Sequence, residues 1–337
     1  MDNDLILLGH GSGGVLSHRL LSDLIIPALS GVPLAGQDDA AVINISGQQF
    51  AFTTDSYVVD PIFFPGGDIG SLAVNGTVND LAMVGARPLF LSTGLIIEEG
   101  FSQADLATIT SSMRKAADKA GVKIVTGDTK VVPRGKADKI FINTSGIGLC
   151  NQELILSGAN ARPGDKIIVS GNIGDHGIAV MAKREGLALA TEIRSDCAAL
   201  NGLVAELLDA GGRAVHVLRD PTRGGVATTL KEIALQSEVC LTLDEAAFPF
   251  DPAVKGVCAI LGLDPLYVAN EGKLLAIVAP EMASQLLEVM RSHPLGGNAA
   301  IIGEVSAAGG GRVQLKTLVG GLRSVEMLSG EQLPRIC

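Results

Sequence analysis

Residues 69–97 read IGSLAVNGTVNDLAMVGARPLFLSTGLII, and they decide the fold. The first part, 69–85, predicts a helix, and 88–97 predicts a nearly continuous apolar strand. A capping box at 102–105 opens a second helix, which ends before Gly121. Strands at 122–126 and 139–150 continue the alternation, with acidic residues recurring at strand ends. The pattern indicates an α/β or α+β fold with a site at one edge of its sheet.

The rest of the chain extends this organisation on both sides. Upstream, 5–8, 40–45 and 49–54 predict strands. Downstream, 157–165 contains two glycines and a proline and is the best candidate for a linker to a second α/β region. We therefore expect an N-terminal domain over 1–155, a C-terminal domain over 156–322 and a mobile tail over 323–337.

Composition limits the class of protein. A chain of 337 residues suggests two domains of about 150 residues each. It has no Trp and only two Tyr, so the core must consist of small aliphatic side chains. The net charge of −10, without a basic cluster, disfavours nucleic acid as a partner, whereas a bound divalent cation can offset clustered acids.

Localisation follows from what the sequence lacks. No run of 18 apolar residues predicts a membrane span, and the acidic start MDND, followed by four apolar residues, is unlike a signal peptide. Five cysteines without a CxxC pair argue against a zinc site or a disulfide framework. We expect a cytoplasmic protein with reduced thiols, in which Cys150, Cys197, Cys240 and Cys258 are core residues.

Four aspartates occupy similar positions, at strand ends or in a helix facing them: Asp39, Asp55, Asp80 and Asp128. Taken singly, each is more simply a cap or a turn residue. Together they are the ligands that Mg²⁺ prefers when it bridges carboxylates to nucleotide phosphates. Asn79 precedes Asp80 in its helix and shares a face with Asn75, which either meets solvent or lines the site.

A glycine-rich loop at 9–14, GHGSGG, follows the first predicted strand. Its backbone N–H groups could surround an anion such as a phosphate, with Gly11, Ser12 and Gly13 as the candidates. The alternative is a flexible terminal turn, because the loop is not a Walker A sequence. The lone histidines His10 and His176 are more simply structural.

The chain ends in LPRIC, which places a nucleophilic thiol at its most mobile point. Pro334 favours extended geometry for Leu333, and glycines at 320, 321 and 330 precede it. These features predict an arm that delivers Cys337 to another site. The alternative is a frayed end whose cysteine has no role.

Several motifs resemble the ATP- and magnesium-binding superfamily that contains aminoimidazole ribonucleotide synthetase, thiamine-monophosphate kinase and selenophosphate synthetase. They are QDDA at 37–40, TTDS at 53–56, VNDLAMVGA at 78–86 and TGDT at 126–129. Within it, GHGSGG, TDSYVVDP at 54–61, GDTKVV at 127–132, RDPTRGG at 219–225, NEGK at 270–273 and the terminal PRIC resemble the HypE family of hydrogenase maturation factors. The resemblance covers essentially the whole chain.

This resemblance implies a two-domain PurM-like fold. The N-terminal mixed sheet would pair with a second copy into a dimer barrel, and the C-terminal domain would form an α/β sandwich. It also implies a chemistry for the tail: a carbamoyltransferase, HypF, would load Cys337 with a carboxamide. ATP-dependent dehydration would then give a thiocyanate, and cyanide would pass to iron on a HypC-HypD scaffold during [NiFe]-hydrogenase maturation.

The resemblance also implies roles for individual residues. Asp39, Asp55, Asp80 and Asp128 would bind magnesium and ATP, with Asp220 as a further metal ligand and Asn79 and Thr129 as further nucleotide-binding residues. Lys130 and Glu271 are the candidates for polarising and deprotonating the carboxamide. Two alternatives remain open for them, namely a surface lysine and a turn carboxylate paired with Lys273.

Two other functions compete with this one. The first is an ATP-dependent kinase or synthetase of the same superfamily acting on a free small molecule, although a kinase gives no reason for a terminal cysteine. Selenophosphate synthesis would want a reactive cysteine in the glycine loop, where this chain has Ser12. The second is a non-catalytic carrier whose Cys337 holds a metal or a partner.

Overall fold

The computed structural model describes residues 5–29, 38–187, 189, 191–307, 309–330, 333 and 335–337. The strands are β1 Ala41–Ile45, β2 Gln48–Tyr57, β3 Phe63–Phe64, β4 Gly67–Asp68, β5 Ala86–Glu98, β6 Lys123–Val132, β7 Ile140–Cys150, β8 Lys166–Val169, β9 Val215–Arg219, β10 Cys240–Asp244, β11 Leu275–Val278, β12 Ala300–Ser306, β13 Arg312–Lys316 and β14 Leu322–Ser324. The helices are α1 Val15–Leu20, α2 Ile26–Leu29, α3 Ile69–Met83, α4 Gln103–Ala120, α5 Asp175–Arg184, α6 Asn201–Gly211, α7 Gly225–Gln236, α8 Pro252–Leu261 and α9 Ala283–Ser292.

The N-terminal half forms a five-stranded mixed sheet in the order β1-β2-β7-β5-β6. Its pairs are antiparallel except β5 with β6. Helix α3 begins at Asp68, whose side chain accepts from the N–H groups of Gly70 and Ser71, and α4 begins at Ser102 and ends at the left-handed Gly121. The predicted helix at 69–85 and the predicted strand at 88–97 are therefore confirmed.

Helix α3 is buried on every side, because it packs between this sheet and the C-terminal half. Asn75 and Asn79, which lie on this helix, therefore do not face solvent. Asn79 donates to the carbonyls of Ala198 and Glu271 and accepts from the N–H of Leu200 at 2.8 Å. The buried Asn79 amide thus forms hydrogen bonds with backbone groups of loops in the C-terminal half. These bonds fix the two halves of the molecule to each other.

The C-terminal half is a seven-stranded mixed sheet in the order β14-β13-β10-β12-β8-β11-β9. Alternate residues of its central strands face opposite layers: Ile167 and Val169 pack with the α7 side, and Ile168 packs with the α6 and α9 side. Residues 151–165 connect the two sheets. The exact domain boundaries stay predictions.

The structure differs from the sequence expectation at the first predicted strand and at the end of β6. Residues 5–7 form no strand, and a 3-10 helix follows at Leu8–Gly11; the apolar side chains at 5–8 are exposed, so the segment lacks the partner that a strand requires. Strand β6 continues through 127–132 instead of ending at 126. Gly127 allows this, because a Cβ at this position would collide with the carbonyl of Thr93 on β5.

The described end of the tail is docked. Leu333 and Ile336 are 9% and 5% exposed and belong to a core cluster that joins the two halves. Pro334, on which the predicted extended geometry depends, lies outside the described residues. None of the helices in the described part of the chain combines the length and hydrophobicity needed to cross a bilayer.

Candidate functional site

A cavity of about 1460 Å³ lies between the two halves of the molecule. One wall comes from β1, β2 and the end of α3, and the opposite wall comes from the segment after β9 and from Glu271. Gly13 and Gly14 close one side, and Cys337 contributes to the lining. The cavity therefore collects residues that are far apart in the sequence.

Four of the five predicted metal ligands line this cavity. Asp39 directly precedes β1, Asp55 lies within β2, Asp80 lies near the end of α3 and Asp220 directly follows β9. Asp55 was expected to follow its strand, but β2 runs on to Tyr57. The walls of the cavity thus bring together carboxylates from both halves of the chain.

These carboxylates raise one another's pKa. Burial raises the pKa of Asp39 to about 6, although the Arg219 guanidinium opposes the shift. Burial, together with the negative charges of Asp220 and Asp55, raises the pKa of Asp80 well above its usual range. Burial and the charge of Asp39 do the same for Asp220. A cation bound among these groups would relieve both the desolvation and the repulsion.

The carboxylates of the cavity fit a magnesium ion that takes some of its ligands from the protein and the others from a bound molecule. Asp39 Oδ2 and Glu271 Oε1 are buried without a hydrogen-bond partner. Among the described residues, no three His, Cys, Asp or Glu side chains come close enough together to hold a metal ion by themselves. Magnesium commonly takes only one or two carboxylates and completes its shell with water and substrate phosphates, which fits this spacing.

Arg219 is a residue that the sequence prediction missed. Its Nε donates to Asp39 Oδ1 at 2.8 Å, and its Nη2 donates to Glu232 Oε2 at 2.9 Å. Arg219 and the Asp39 side chain are both about 10% exposed, so the pair is largely removed from water. The guanidinium holds one oxygen of Asp39 and leaves the other without a partner. The RDPTRGG motif contained this residue, but nothing in the sequence predicted its partners.

Cys337 and Glu271 both line the cavity. Burial raises the pKa of the Cys337 thiol, and the charge of Glu271 adds to the shift, whereas Arg223 opposes it. Burial raises the pKa of Glu271 well above its usual range, with a contribution from Asp220.

Glu271 is not a turn carboxylate paired with Lys273. Its side chain is buried, and its backbone N–H donates to Asp196 Oδ1 at 3.0 Å. Lys273 instead lies 3.4 Å from Asp196 Oδ2. A fixed backbone beside an unpartnered carboxylate oxygen gives Glu271 a defined position and a free acceptor, which are the properties of a general base.

The glycine loop is divided between two cavities. Gly13 and Gly14 have left-handed backbones, with φ of 76° and 80°, and Gly13 lies so close to Arg223 that a Cβ would not fit. Gly11 and Ser12 instead line a smaller cavity of about 150 Å³ on another side of Cys337. The Ser12 hydroxyl donates to the carbonyl of Leu8 at 3.2 Å. The loop therefore lies beside Arg223 and Cys337.

Within a single chain, the cavity is not lined by Asp128, Thr129 or Lys130. Across the sheet, Asp55 aligns with Thr144, then with Thr93, and then with Gly127 on the edge strand β6. Three interstrand spacings place Asp128 about 14 Å from the Asp55 strand, well beyond a shared magnesium shell. Asp128 is fully exposed, and Lys130 Nζ lies 2.5 Å from its Oδ2. Asn79 also does not line the cavity.

Comparison with known proteins places the chain among relatives that match it over nearly its full length. The AIR synthase related protein family matches at residues 37–150 with its N-terminal domain and at 162–316 with its C-terminal domain. The chain is 55% identical over 335 residues to carbamoyl dehydratase HypE of Bradyrhizobium diazoefficiens, covering 99% of this chain and 97% of the relative.

Two solved structures show the same architecture. HypE in a HypE-HypF complex has a TM-score of 0.87 and 48% identity and covers 92% of this chain and 99% of its own. The hydrogenase maturation protein HypE in complex with ATP has a TM-score of 0.83 and 52% identity, with 99% and 100% covered. These similarities confirm the predicted two-domain mixed α/β fold. The dimer barrel stays a prediction, because it requires a second copy of the chain and the N-terminal sheet of a single chain is open.

Proposed function

This chain belongs to the carbamoyl dehydratase HypE family, and from that premise we propose that it uses ATP to dehydrate a carboxamide carried on its own Cys337. The product is a thiocyanate, which donates cyanide to iron during [NiFe]-hydrogenase maturation. The observation that carries the proposal is that Cys337 lines the same cavity as the carboxylate cluster and Glu271. A free-substrate kinase would have no use for this arrangement.

ATP would lie in the cavity with its phosphates toward Asp39, Asp55, Asp80 and Asp220, which would hold Mg²⁺. The ion would neutralise charge on the phosphates and orient the γ-phosphoryl group. Gly13 lies beside Arg223 at the same cavity, and its own N–H donates to Ser17 Oγ at 3.0 Å. The Arg223 guanidinium is the group of this pair that is available to the phosphates. The proposal agrees with the ATP complex of the related HypE.

The reaction balances with ATP as the only co-reactant. The carboxamide oxygen attacks the γ-phosphorus, the bond to ADP breaks, and one N–H proton leaves. The nitrogen then loses its second proton, and its electron pair forms the third C–N bond as the C–O bond breaks and phosphate departs. Glu271 accepts a proton from the nitrogen, and its unpartnered Oε1 is the acceptor atom. The S-carboxamide of Cys337 and ATP thus give the thiocyanate, ADP, phosphate and a proton.

The test is intact-protein mass spectrometry after carbamoylation of the full-length protein. A HypF carbamoyltransferase with carbamoyl phosphate and ATP would load the thiol, and digestion would locate the adduct. We expect a carboxamide on Cys337 that loses the mass of water only when Mg-ATP is present. An unmodified tail, together with ATP consumption that depends on a small metabolite, would support the kinase or synthetase alternative.

Asp128, Thr129 and Lys130 would reach the site from a second copy of the chain in a homodimer. Apolar side chains on the N-terminal sheet are exposed in the single chain, as expected of a surface that is covered in an assembly. Those that the strand register places on one face of the sheet include Ile45, Phe52, Phe90 and Ile96. Edge strand β6, which carries the Asp128–Lys130 pair, belongs to the same sheet.

We predict that Asp128→Asn weakens Mg-ATP binding and that activity returns when this variant is mixed with Glu271→Gln. In a mixed dimer, one of the two sites combines an intact Glu271 with an intact Asp128. Equal amounts of the two variants, after subunit exchange, should give about a quarter of wild-type activity, because half the dimers are mixed and each has one complete site. Dehydration rates of the separate and mixed variants measure this. Unchanged Mg-ATP affinity in Asp128→Asn would remove the residue from the site.

The raised pKa of Asp39 predicts a pH-dependent response to Mg-ATP. The folded state holds its proton up to about pH 6, while the unfolded state releases it near 3.8. The unliganded protein therefore loses stability as the pH rises through this window, and a bound cation that favours the carboxylate offsets the loss. The rise in Tm on adding Mg-ATP should be larger at pH 7 than at pH 5. ATP with EDTA is the control, and an equal rise at both pH values would contradict the prediction.

The partners follow from the same family. HypF would supply the carboxamide, as the HypE-HypF complex suggests, and an iron-carrying HypC-HypD scaffold would accept the cyanide. Both transfers need Cys337 outside the cavity, so the tail must leave its docked position between them. A cytoplasmic location, where thiols stay reduced, would suit this chemistry.

A further inference from the structure

His176 is buried, with 0% of its surface exposed, and both of its ring nitrogens are bonded. Nε2 lies 2.8 Å from the carbonyl oxygen of Ile336, the residue before the reacting cysteine. Nδ1 lies 2.8 Å from Ser195 Oγ. A carbonyl oxygen only accepts, so Nε2 carries the proton and donates to it. The neutral ring then accepts at Nδ1 from the Ser195 hydroxyl.

From this geometry we propose that His176 is a positioning residue for Cys337, holding the carbonyl of Ile336 so that the terminal side chain points into the cavity. The proposal rests on the function proposed above and adds a residue to it. Among the described groups, His176 is the side chain bonded to that carbonyl. Its ring also packs edge-on against Phe64, with the ring centroids 5.4 Å apart, so its orientation is fixed.

Other bonds hold the tail on either side of this contact. The carbonyl of Arg335 accepts from Arg184 Nη2 at 2.8 Å and from the N–H of Asp60 at 3.2 Å. A main-chain oxygen of the terminal Cys337 accepts from the N–H of Val58 at 3.0 Å. These bonds fix the backbone of the tail along residues 58–60. The bond from His176 lies between the bonds to Arg335 and Cys337. Of the side chains that donate to the tail backbone, His176 donates to the position nearest to the reacting cysteine.

Ser195 connects this contact to the proposed base. Its Oγ accepts from the N–H of Cys197 at 3.0 Å, which orients its hydroxyl hydrogen toward His176. The next residue, Asp196, accepts from the backbone N–H of Glu271. One short loop, 195–197, therefore positions both the histidine that holds the tail and the backbone of the residue that deprotonates its carboxamide.

The experiment compares His176→Leu, which removes the donor, with His176→Gln, whose amide nitrogen lies near the Nε2 position. His293→Leu is the control, since His293 is a partly buried histidine that accepts from the N–H of Leu295, and no hydrogen bond joins it to the described residues of the tail. The first measurement is the rate at which iodoacetamide alkylates Cys337 in the full-length protein without ATP, followed by mass spectrometry of the C-terminal peptide. The second is the rate of dehydration in a single turnover, with the S-carboxamide installed by cyanate.

We expect His176→Leu to raise the alkylation rate about tenfold, as the loss of one buried hydrogen bond allows. Dehydration should slow by about tenfold or more, because a displaced reacting group loses its alignment. Mg-ATP affinity should stay within about twofold, and His176→Gln should recover most of both rates. His293→Leu should match the wild type in all three measurements.

Two results would overturn the proposal. One is a wild-type alkylation rate in His176→Leu. The other is a His176→Gln protein that behaves like His176→Leu at an unchanged Tm, which would assign the effect to packing beside Phe64. Failure of the proposed function can be distinguished from failure of this proposal. If the wild-type protein forms no thiocyanate, the alkylation rate of Cys337 still measures how tightly the tail is docked.

Discussion

Cys337→Ala is expected to abolish thiocyanate formation completely and to leave Mg-ATP binding within about twofold of the wild type. In the proposed reaction, the Cys337 thiol carries the carboxamide. Burial raises its pKa, so the docked thiol is neutral and its removal changes no charge in the cavity. The carboxylates proposed to hold the metal keep their environment.

The measurements are mass spectrometry of the C-terminal peptide and calorimetric titration with Mg-ATP. Cys240→Ala is the matched control, because Cys240 is a second buried thiol that lies on β10 and is not among the residues that line the cavity. This variant should form thiocyanate like the wild type. If Cys337→Ala lost Mg-ATP binding, the tail would be part of the nucleotide site, and its role as carrier of the substrate would have to be withdrawn.

The sequence predicted the elements that depend on local chemistry. Helix α3 follows from its apolar length, and β5 follows from its apolar run. The carboxylates at 39, 55, 80 and 220 were predicted from motifs, and the structure brings these four to one cavity. A motif determines which residue types lie near a turn. In this fold, the turns and strands that carry the four carboxylates come together at one cavity.

Other features could not be predicted, because they depend on contacts distant in sequence. Nothing local to Arg219 indicates that it bonds to Asp39, 180 residues away. His176 was interpreted as a lone structural histidine, and its partner Ile336 lies 160 residues further along the chain. Asp128 was grouped with the other aspartates on sequence context alone, whereas two strands, β7 and β5, lie between it and the strand that carries Asp55. Sequence patterns identify residue types, and topology decides which of them meet.

Glu271→Gln is expected to slow dehydration by at least about 10²-fold, because glutamine has the same shape but does not accept the proton from the carboxamide nitrogen. In the wild type, burial and the nearby charge of Asp220 raise the pKa of Glu271, so the rate should rise with pH as the carboxyl group ionises. Glu271→Gln should lose this rise. Single-turnover rates from pH 5.5 to 8.5, with Glu206→Gln on the exposed side of α6 as the control, provide the measurement.

The stability of the variant separates a catalytic role from a structural one. Glu271 Oε1 is buried without a partner, so neutralising this side chain removes a cost of burial, and the Tm of Glu271→Gln should be equal to or higher than that of the wild type. A slow reaction in a protein of unchanged or raised Tm assigns the loss to proton transfer. A fall in Tm together with lost Mg-ATP binding would instead make Glu271 a structural support of the cavity, and another group would then have to deprotonate the carboxamide.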